Sequence, residues 1–268
     1  MVLRVDSPPD WANNNGGDQI PPSNPDDFRT FMYELSKFLK GRVAAYEIWN
    51  EPNLSREWGN RTPNASEYVA LLRAGYEGVK AGDPRALVIS AGLATTGGGD
   101  GAMNDIDFIR GMYAAGAKAY FDVLGSHPYG FGSAPETEPW GAGVLFFRRA
   151  EAQRQVMLDN GDGAKQIWAT EFGWPVDTTC YLGGHDWFKQ PPDVQADYLV
   201  RSYQYAYANW PWMGVMLTFN LDFSSVYWYD TCDPVRYYAV MDGNPSTGEL
   251  WPRPAYTALS NMTKTTSH

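Results

Sequence analysis

The sequence predicts an α/β fold with a parallel sheet, and three features of the chain indicate this class. Apolar, β-branched or aromatic runs alternate with segments of helical periodicity, as in successive strand–helix–strand units. The runs are apolar throughout, which is typical of strands covered on both faces. The loops after the predicted strands are long and rich in Gly, Pro, Asn and Trp, whereas the loops before them are short. This asymmetry indicates a (β/α) barrel with its functional face on the long-loop side.

The predicted elements alternate along the whole chain. The predicted strands are residues 2–5, 43–49, 87–93, 121–127, 166–172 and 213–220. Helical patterns cover residues 26–41, 64–82, 104–118, 141–160, 191–209 and 252–264. In the first of these, apolar residues recur at helical spacing from Phe28 to Leu39, Pro25 precedes them and Gly41 follows. Because no linker or low-complexity segment interrupts the pattern, we expect one domain over residues 1–268.

Composition and charge argue against several classes of partner. The net charge of −10 disfavours nucleic acids and anionic membranes, since both require a basic patch; solubility is the simplest explanation of the acidity. The 11 Trp and 17 Tyr suggest that some aromatic rings line a binding groove, where Trp can stack on the flat apolar faces of sugars. The histidines have neither the HxH nor the HExxH spacing of a metal-dependent hydrolase, so we expect no metal and no other cofactor.

The two cysteines, Cys180 and Cys232, are too few for a disulfide framework and lack the spacing of a zinc site. Both lie in long loops after predicted strands, and the sequence leaves open whether they form one disulfide. The N-terminal residues have no signal-peptide pattern, and no apolar run approaches the length of a membrane span.

Two glutamates stand at the ends of predicted strands, Glu51 in IWNEPN and Glu171 in WATEFGWP. Two other predicted strands separate them, so in a barrel both carboxylates point into the same mouth from strands three units apart. A strand-end glutamate by itself is more often solvated or ion-paired. A facing pair, however, is what glycoside hydrolysis needs: one protonated carboxyl for the leaving oxygen and one ionised carboxylate to attack or to activate water.

With these motifs, the chain resembles the retaining glycoside hydrolases of clan A, and most closely family 39-like enzymes. The resemblance spans essentially the whole chain and implies that Glu51 is the general acid/base and Glu171 the nucleophile. It implies that Asn50 holds the substrate hydroxyl next to the reacting carbon, a contact that strengthens in the transition state. From the segment SHPYG, His127 and Tyr129 are implied to contact the sugar and the nucleophile, with the Tyr129 hydroxyl favouring the ionised form of Glu171.

Tryptophans in the loops after strands are candidates for sugar binding. Trp174, in the loop after Glu171, is the preferred sugar platform, and Trp11 and Trp58 come next. Each of them can instead be an anchor that packs its loop. Phe219 falls where clan A enzymes usually place a Trp under the reacting sugar, so the resemblance implies a different floor for that subsite.

A complete barrel has eight strands, and six are visible in this sequence. By the resemblance they correspond to strands three to eight of a (β/α)8 barrel, so the predicted fold is an incomplete TIM barrel, (β/α)6. Edges at residues 2–5 and 213–220 are then exposed. The chain is a fragment of a longer protein, or copies associate, or loops and the terminal helix plug the gap. We favour a homo-oligomer that covers the open barrel side.

The functional hypothesis is a retaining glycoside hydrolase that cleaves β-glycosidic bonds of oligo- or polysaccharides by double displacement on two glutamates. The alternative is a carbohydrate-binding barrel remnant that is catalytically weak or inactive. Family members take a further basic or polar residue from the first two strands, and this sequence has no counterpart of those strands. The resemblance implies a secreted or extracytoplasmic enzyme. The motifs do not specify the sugar, its linkage, or exo against endo action.

Overall fold

The computed structural model describes residues 1–14, 16–139 and 145–264. Its strands are β1 (Val2–Val5), β2 (Ala45–Ile48), β3 (Leu87–Ser90), β4 (Leu93–Ala94), β5 (Val123–His127), β6 (Gln166–Phe172), β7 (Met213–Thr218), β8 (Met241–Gly243) and β9 (Leu250–Pro252). Its α-helices are α1 (Pro25–Phe38), α2 (Ala65–Gly82), α3 (Asp105–Ala114), α4 (Arg149–Asp159), α5 (Pro192–Asn209), α6 (Pro234–Tyr238) and α7 (Pro254–Asn261).

The predicted fold class is confirmed. Six parallel strands follow the sheet order β1-β2-β3-β5-β6-β7, with a helix between each strand and the next, which is an incomplete (β/α)6 barrel. The predicted strand at residues 87–93 is divided into β3 and β4, and β4 pairs with β5. The helix predicted at residues 141–160 corresponds to α4; residues 141–144 lie outside the described part of the chain.

The first compact unit comprises Met1–His127 and Ala150–Trp168. Strands β1, β2 and β3 pair in parallel with no offset between the start of one strand and the next, since Val2 lies opposite Ala45 and Ala45 opposite Leu87. The fully buried Tyr68 of α2 ties this sheet to its helices. Its hydroxyl donates to the Ile48 carbonyl at 3.0 Å and accepts from the Ala91 N–H at 2.6 Å, so α2 holds the carboxyl ends of β2 and β3.

Helices α1 and α2 of this unit pack at very short range. A Cβ on Gly78 would lie 2.4 Å from the Arg29 carbonyl oxygen and 2.9 Å from the Met32 Cβ, so only glycine allows the two helices to approach so closely. Asparagine side chains cap the N-termini of three helices of the unit, and they are Asn24, Asn64 and Asn104.

The second compact unit comprises Pro128–Arg149 and Ala169–His268. An aromatic cluster forms its core, and its fully buried rings include Phe147, Phe172 and Trp174. The antiparallel pair β8–β9 and the short α6 belong to this unit and were not predicted, because segments this short carry little periodicity. Cys180 and Cys232 form a disulfide between two loops, and the Phe219–Asn220 peptide bond is cis. Among the described residues, no helix has the length and apolar character needed to cross a bilayer.

Candidate active site

The backbone around Glu51 is held in an unusual conformation. Trp49 has a φ of 76° and Glu51 a φ of 40°, a region that costs a non-glycine residue about 1–3 kcal/mol. Neighbouring segments hold this conformation: the Trp49 N–H donates to Val5 O in β1 at 3.0 Å, and the Glu51 N–H donates to Gly92 O, between β3 and β4, at 3.1 Å. The Glu51 carboxylate therefore projects from a segment whose direction is fixed by the elements on both sides of β2.

His127, at the end of β5, orients the Glu51 carboxylate. Its Nδ1 lies 2.9 Å from Glu51 Oε1, and because an ionised carboxylate only accepts hydrogen bonds, Nδ1 is the donor. The His127 side chain is fully buried and that of Glu51 is 12% exposed. The partner established for His127 Nδ1 is the Glu51 carboxylate, and the expected contact of His127 with the sugar and the nucleophile stays a prediction.

The charges around Glu51 favour its ionised form. Burial by itself would raise its pKa, but the hydrogen bond and charge of His127 and the guanidinium groups of Arg56 and Arg4 together lower it below the ordinary value of 4.5. The Arg56 guanidinium lies 3.6 Å from Glu51 Oε2. In the free protein the proposed proton donor is therefore held as a carboxylate, a condition that bears on the pH dependence of any catalysis.

A second carboxylate, Glu47 of β2, lies behind His127 and was not predicted as a site residue. It is only 3% exposed, and its Oε1 accepts the Gly92 N–H at 2.9 Å and lies 4.0 Å from His127 Nε2. The buried imidazole thus has a glutamate on each side. A charged residue inside the apolar run YEIW was the sequence signal that would have identified it.

Asn50 is oriented by charged neighbours at both ends of its amide. Its Oδ1 accepts from Arg4 Nη1 at 3.0 Å, and its Nδ2 donates to Glu57 Oε2 at 3.3 Å. Arg4 is in turn held by Asp6 at 2.8 Å. Burial and the charge of Glu51 raise the pKa of Glu57, although the hydrogen bond from Asn50 acts to lower it. Arg4, a basic residue of the first strand, is thus a site residue that the sequence reasoning missed.

Glu171, at the end of β6, is oriented by Tyr129. The Tyr129 hydroxyl donates to Glu171 Oε2 at 2.7 Å, the hydrogen bond that the sequence led us to expect. The Tyr129 ring packs edge-on against Tyr238 and Phe219, with centroids 5.3 Å and 6.1 Å away. Phe219 therefore supports the residue that holds Glu171.

Two of the three predicted sugar-binding tryptophans are buried, which corrects those predictions. Trp174 is 0% exposed: its ring packs against Phe147, and its N–H donates to the Ser133 carbonyl. Trp58 is 1% exposed and packs edge-on against Trp49. Neither ring has a free face for a sugar, because each anchors a long loop onto the core. Trp11 remains a candidate at 73% exposure, and it lines an apolar cavity of about 300 Å³.

Each compact unit thus contains one glutamate that accepts a side-chain hydrogen bond, Glu51 from His127 and Glu171 from Tyr129. Such carboxylates can exchange protons or attack an electrophilic carbon. Within either unit taken by itself, the described residues form no cluster of three His, Cys, Asp or Glu side chains with metal-site spacing.

No family model matches the sequence, and no curated protein matches it. Solved structures do match the fold. A family 39 glycoside hydrolase from Bacteroides cellulosilyticus WH2 is similar with a TM-score of 0.62 and 20% identity, over 97% of this chain and 49% of that chain. A monomeric β-xylosidase from Caulobacter crescentus CB15 matches with a TM-score of 0.63 and 18% identity, over 98% and 53% of the two chains.

A third similar structure is a family 128 (subgroup II) endo-β-1,3-glucanase from Sorangium cellulosum, with a TM-score of 0.59 and 18% identity. It is covered over 85% of its length, and 96% of this chain is matched. The chain spans about half the length of the other two enzymes, at 49% and 53%. The chain therefore has the fold of family 39 and other clan A glycoside hydrolases, in an incomplete form.

Proposed function

We propose that this protein is a retaining glycoside hydrolase that cleaves β-glycosidic bonds by double displacement, with Glu171 as nucleophile and Glu51 as general acid/base. The observation that carries the proposal concerns both glutamates. Each stands at the carboxyl end of a parallel strand and accepts a hydrogen bond from the segment 126–130, Glu51 from His127 and Glu171 from Tyr129. Functional groups of a (β/α) barrel lie at the carboxyl ends of its strands.

In the first step, a Glu171 oxygen bonds to the anomeric carbon while the glycosidic C–O bond breaks, and Glu51 gives its proton to the leaving oxygen. In the second step, Glu51 takes a proton from water. The water oxygen bonds to the anomeric carbon, and the ester bond to Glu171 breaks. Asn50 is oriented for a substrate hydroxyl in advance, because Arg4 and Glu57 engage both ends of its amide.

The names of the structural neighbours suggest which substrates to test. They include a β-xylosidase and an endo-β-1,3-glucanase, so the panel consists of aryl β-xylosides, aryl β-glucosides and soluble β-1,3-glucan. We expect turnover of at least one of these, with the sugar product first released as the β-anomer when followed by NMR. An α-anomer as first product contradicts the double-displacement mechanism.

The matched variants are Glu171→Gln, which should abolish turnover, and Glu249→Gln, a conservative change of an exposed glutamate, which should leave it intact. Glu51→Gln should lose most activity on glycosides with poor leaving groups and less on those with good ones, because only a poor leaving group needs the acid. Equal losses on both substrate types argue against the acid role.

The second candidate is a carbohydrate-binding barrel remnant without turnover. The observation that favours it is the lowered pKa of Glu51, which leaves its carboxyl ionised at neutral pH, where a general acid must be protonated. Calorimetry separates the two functions: sugar binding by the native protein without any product in the NMR experiment supports the remnant, and turnover that Glu171→Gln abolishes excludes it.

A further inference from the structure

Two loops of the second compact unit expose four aromatic side chains. Tyr181 and Trp187 lie in the loop after β6, and Tyr227 and Trp228 in the loop after β7. Their exposed fractions are 76%, 88%, 79% and 67%. We call this set the aromatic rim. Rings of this size usually lose most of their exposure on folding, so four largely exposed ones on adjoining loops indicate a binding surface.

The loop after β6 is held by polar bonds and does not depend on the rim side chains. The disulfide joins Cys180, the neighbour of Tyr181, to Cys232. The Lys189 ammonium donates to the carbonyls of Thr178 and Cys180 at 3.1 Å and 2.7 Å. These bonds fix the loop while leaving its two rim rings exposed.

The loop after β7 is held in the same way. Arg236 donates to the carbonyls of Ser224, Val226 and Tyr229, the latter two at 3.0 Å and 3.1 Å. The Tyr237 hydroxyl donates to the Thr231 carbonyl at 2.9 Å. The rings of Tyr227 and Trp228 pack edge-on with centroids 5.1 Å apart, which orients them relative to each other. A surface fixed before binding loses little conformational entropy when a ligand arrives.

The charges of the loop after β7 favour a neutral ligand over an anionic one. The loop after β7 carries three aspartates, Asp222, Asp230 and Asp233, and the chain as a whole has a net charge of −10. The cations Lys189 and Arg236 are engaged by loop carbonyls. Carboxylates accept hydrogen bonds from sugar hydroxyls and repel anionic polymers, and aromatic faces stack on the apolar faces of pyranose rings.

We propose that the aromatic rim is a binding surface for a neutral β-glycan chain, separate from the residues that carry out hydrolysis. The inference rests on the proposed function, because it assigns a polymeric substrate to the catalytic site proposed above. A rim of four rings can hold several sugar units and so keeps a long chain on the protein between cleavages.

The test is binding of the full chain to three insoluble polymers: β-1,3-glucan, xylan and cellulose. Binding is measured by depletion from solution in the Glu171→Gln background, so that the polymer is not degraded. We expect at least one polymer to bind, and the double variant Trp187→Ala/Trp228→Ala to bind it about tenfold or more weakly, since stacked rings contribute about 1 kcal/mol each. The matched control is Phe38→Ala, which removes a 75% exposed ring from α1 and should leave binding unchanged.

With Glu171 intact, the double variant should hydrolyse an aryl β-glycoside at the native rate and show a raised KM for the polymer alone. The proposal is overturned if none of the three polymers binds, if the double variant binds as well as the background protein, or if Phe38→Ala is equally impaired. A change of molar mass in light scattering on removal of the two rings assigns the rim to contact between copies and also overturns it. Polymer binding without turnover by the native protein leaves the rim intact and contradicts the proposed function instead.

Discussion

At the scale of single residues, the site depends on the partners of each carboxylate. His127 lies between Glu47 and Glu51, and its hydrogen bond and charge, together with the two nearby arginines, outweigh burial, so that the pKa of Glu51 is lowered. The charges of Arg56 and Arg4 also lower the pKa of Glu51. The nearby Glu57 differs, because burial and the charge of Glu51 raise its pKa. A general acid with a lowered pKa is protonated only in acidic solution, so kcat/KM should be highest at acidic pH and fall as pH rises.

His127→Ala should move this falling limb of kcat/KM to higher pH. Without the imidazole, burial is opposed only by the two arginines, and the pKa of Glu51 rises. The measurement is the pH profile of kcat/KM on an aryl glycoside. Tyr129→Phe is the control. The hydroxyl that it removes contacts Glu171, so the falling limb, which follows the pKa of Glu51, should stay in place. A limb that stays where it was in His127→Ala contradicts the account.

Tyr129→Phe should itself lower kcat about tenfold or more. The hydroxyl donates to the Glu171 carboxylate at 2.7 Å, and a hydrogen bond to a charged group contributes about 1.5–3 kcal/mol. The ring contacts with Tyr238 and Phe219 remain, so the thermal unfolding midpoint should change little. A kcat equal to that of the native protein would show that the hydroxyl has no part in orienting the nucleophile.

At the scale of elements, close packing and cross-linking position the loops that carry these residues. Helix α2 approaches α1 at Gly78 and reaches the ends of β2 and β3 through Tyr68. In the second unit, the disulfide joins the loops after β6 and β7. The site loops are therefore fixed by contacts remote from the carboxylates.

Gly78→Ala should lower the free energy of unfolding by about 1–3 kcal/mol, as overpacking does. Helix propensity predicts the opposite sign, a gain of about 1 kcal/mol, so the sign decides between the two effects. Gly75→Ala in the same helix is the matched control. Its new Cβ would meet the Ile48 Cδ1 at 2.8 Å, the far end of a side chain that can shift, so we expect a smaller loss. Urea denaturation measures both.

Cys180→Ser/Cys232→Ser should lower stability by about 2–4 kcal/mol, because the disulfide closes a loop with a sequence separation of 52. Adding a reductant should lower the thermal midpoint of the native protein to that of the double variant. The midpoint of the double variant should not change with reductant. An unchanged midpoint in the variant would mean that Lys189 and Arg236 hold these loops by themselves.

At the scale of the whole molecule, the strand order ends at β1 and β7, and the described residues form six of the eight strands of a complete barrel. Unpaired strand edges offer backbone donors and acceptors to another chain. We propose that copies of this chain associate through these edges. The proposal concerns the chain of 268 residues, which spans about half the length of two of its structural neighbours, at 49% and 53%.

Light scattering at micromolar concentration should therefore give a mass above the 29.9 kDa of one chain. Leu217→Lys places a charge on β7 at a residue that is 37% exposed, and should shift the mass towards the monomer. Leu158→Lys, at a 49% exposed position of α4, is the control and should not. A monomeric mass for the native chain contradicts the proposal.

Apolar periodicity is a local property of the chain, so the sequence predicts the alternation of strands and helices, the six strands, and the strand-end positions of Glu51 and Glu171. The surroundings of those glutamates depend on tertiary packing. The partners of Glu51 come from separate strands and loops, the burial of Trp58 and Trp174 depends on how loops fold back onto the core, and the Cys180–Cys232 pairing joins two distant loops. Side chains that are remote in sequence come into contact only when the chain packs, so a local sequence pattern does not predict these contacts.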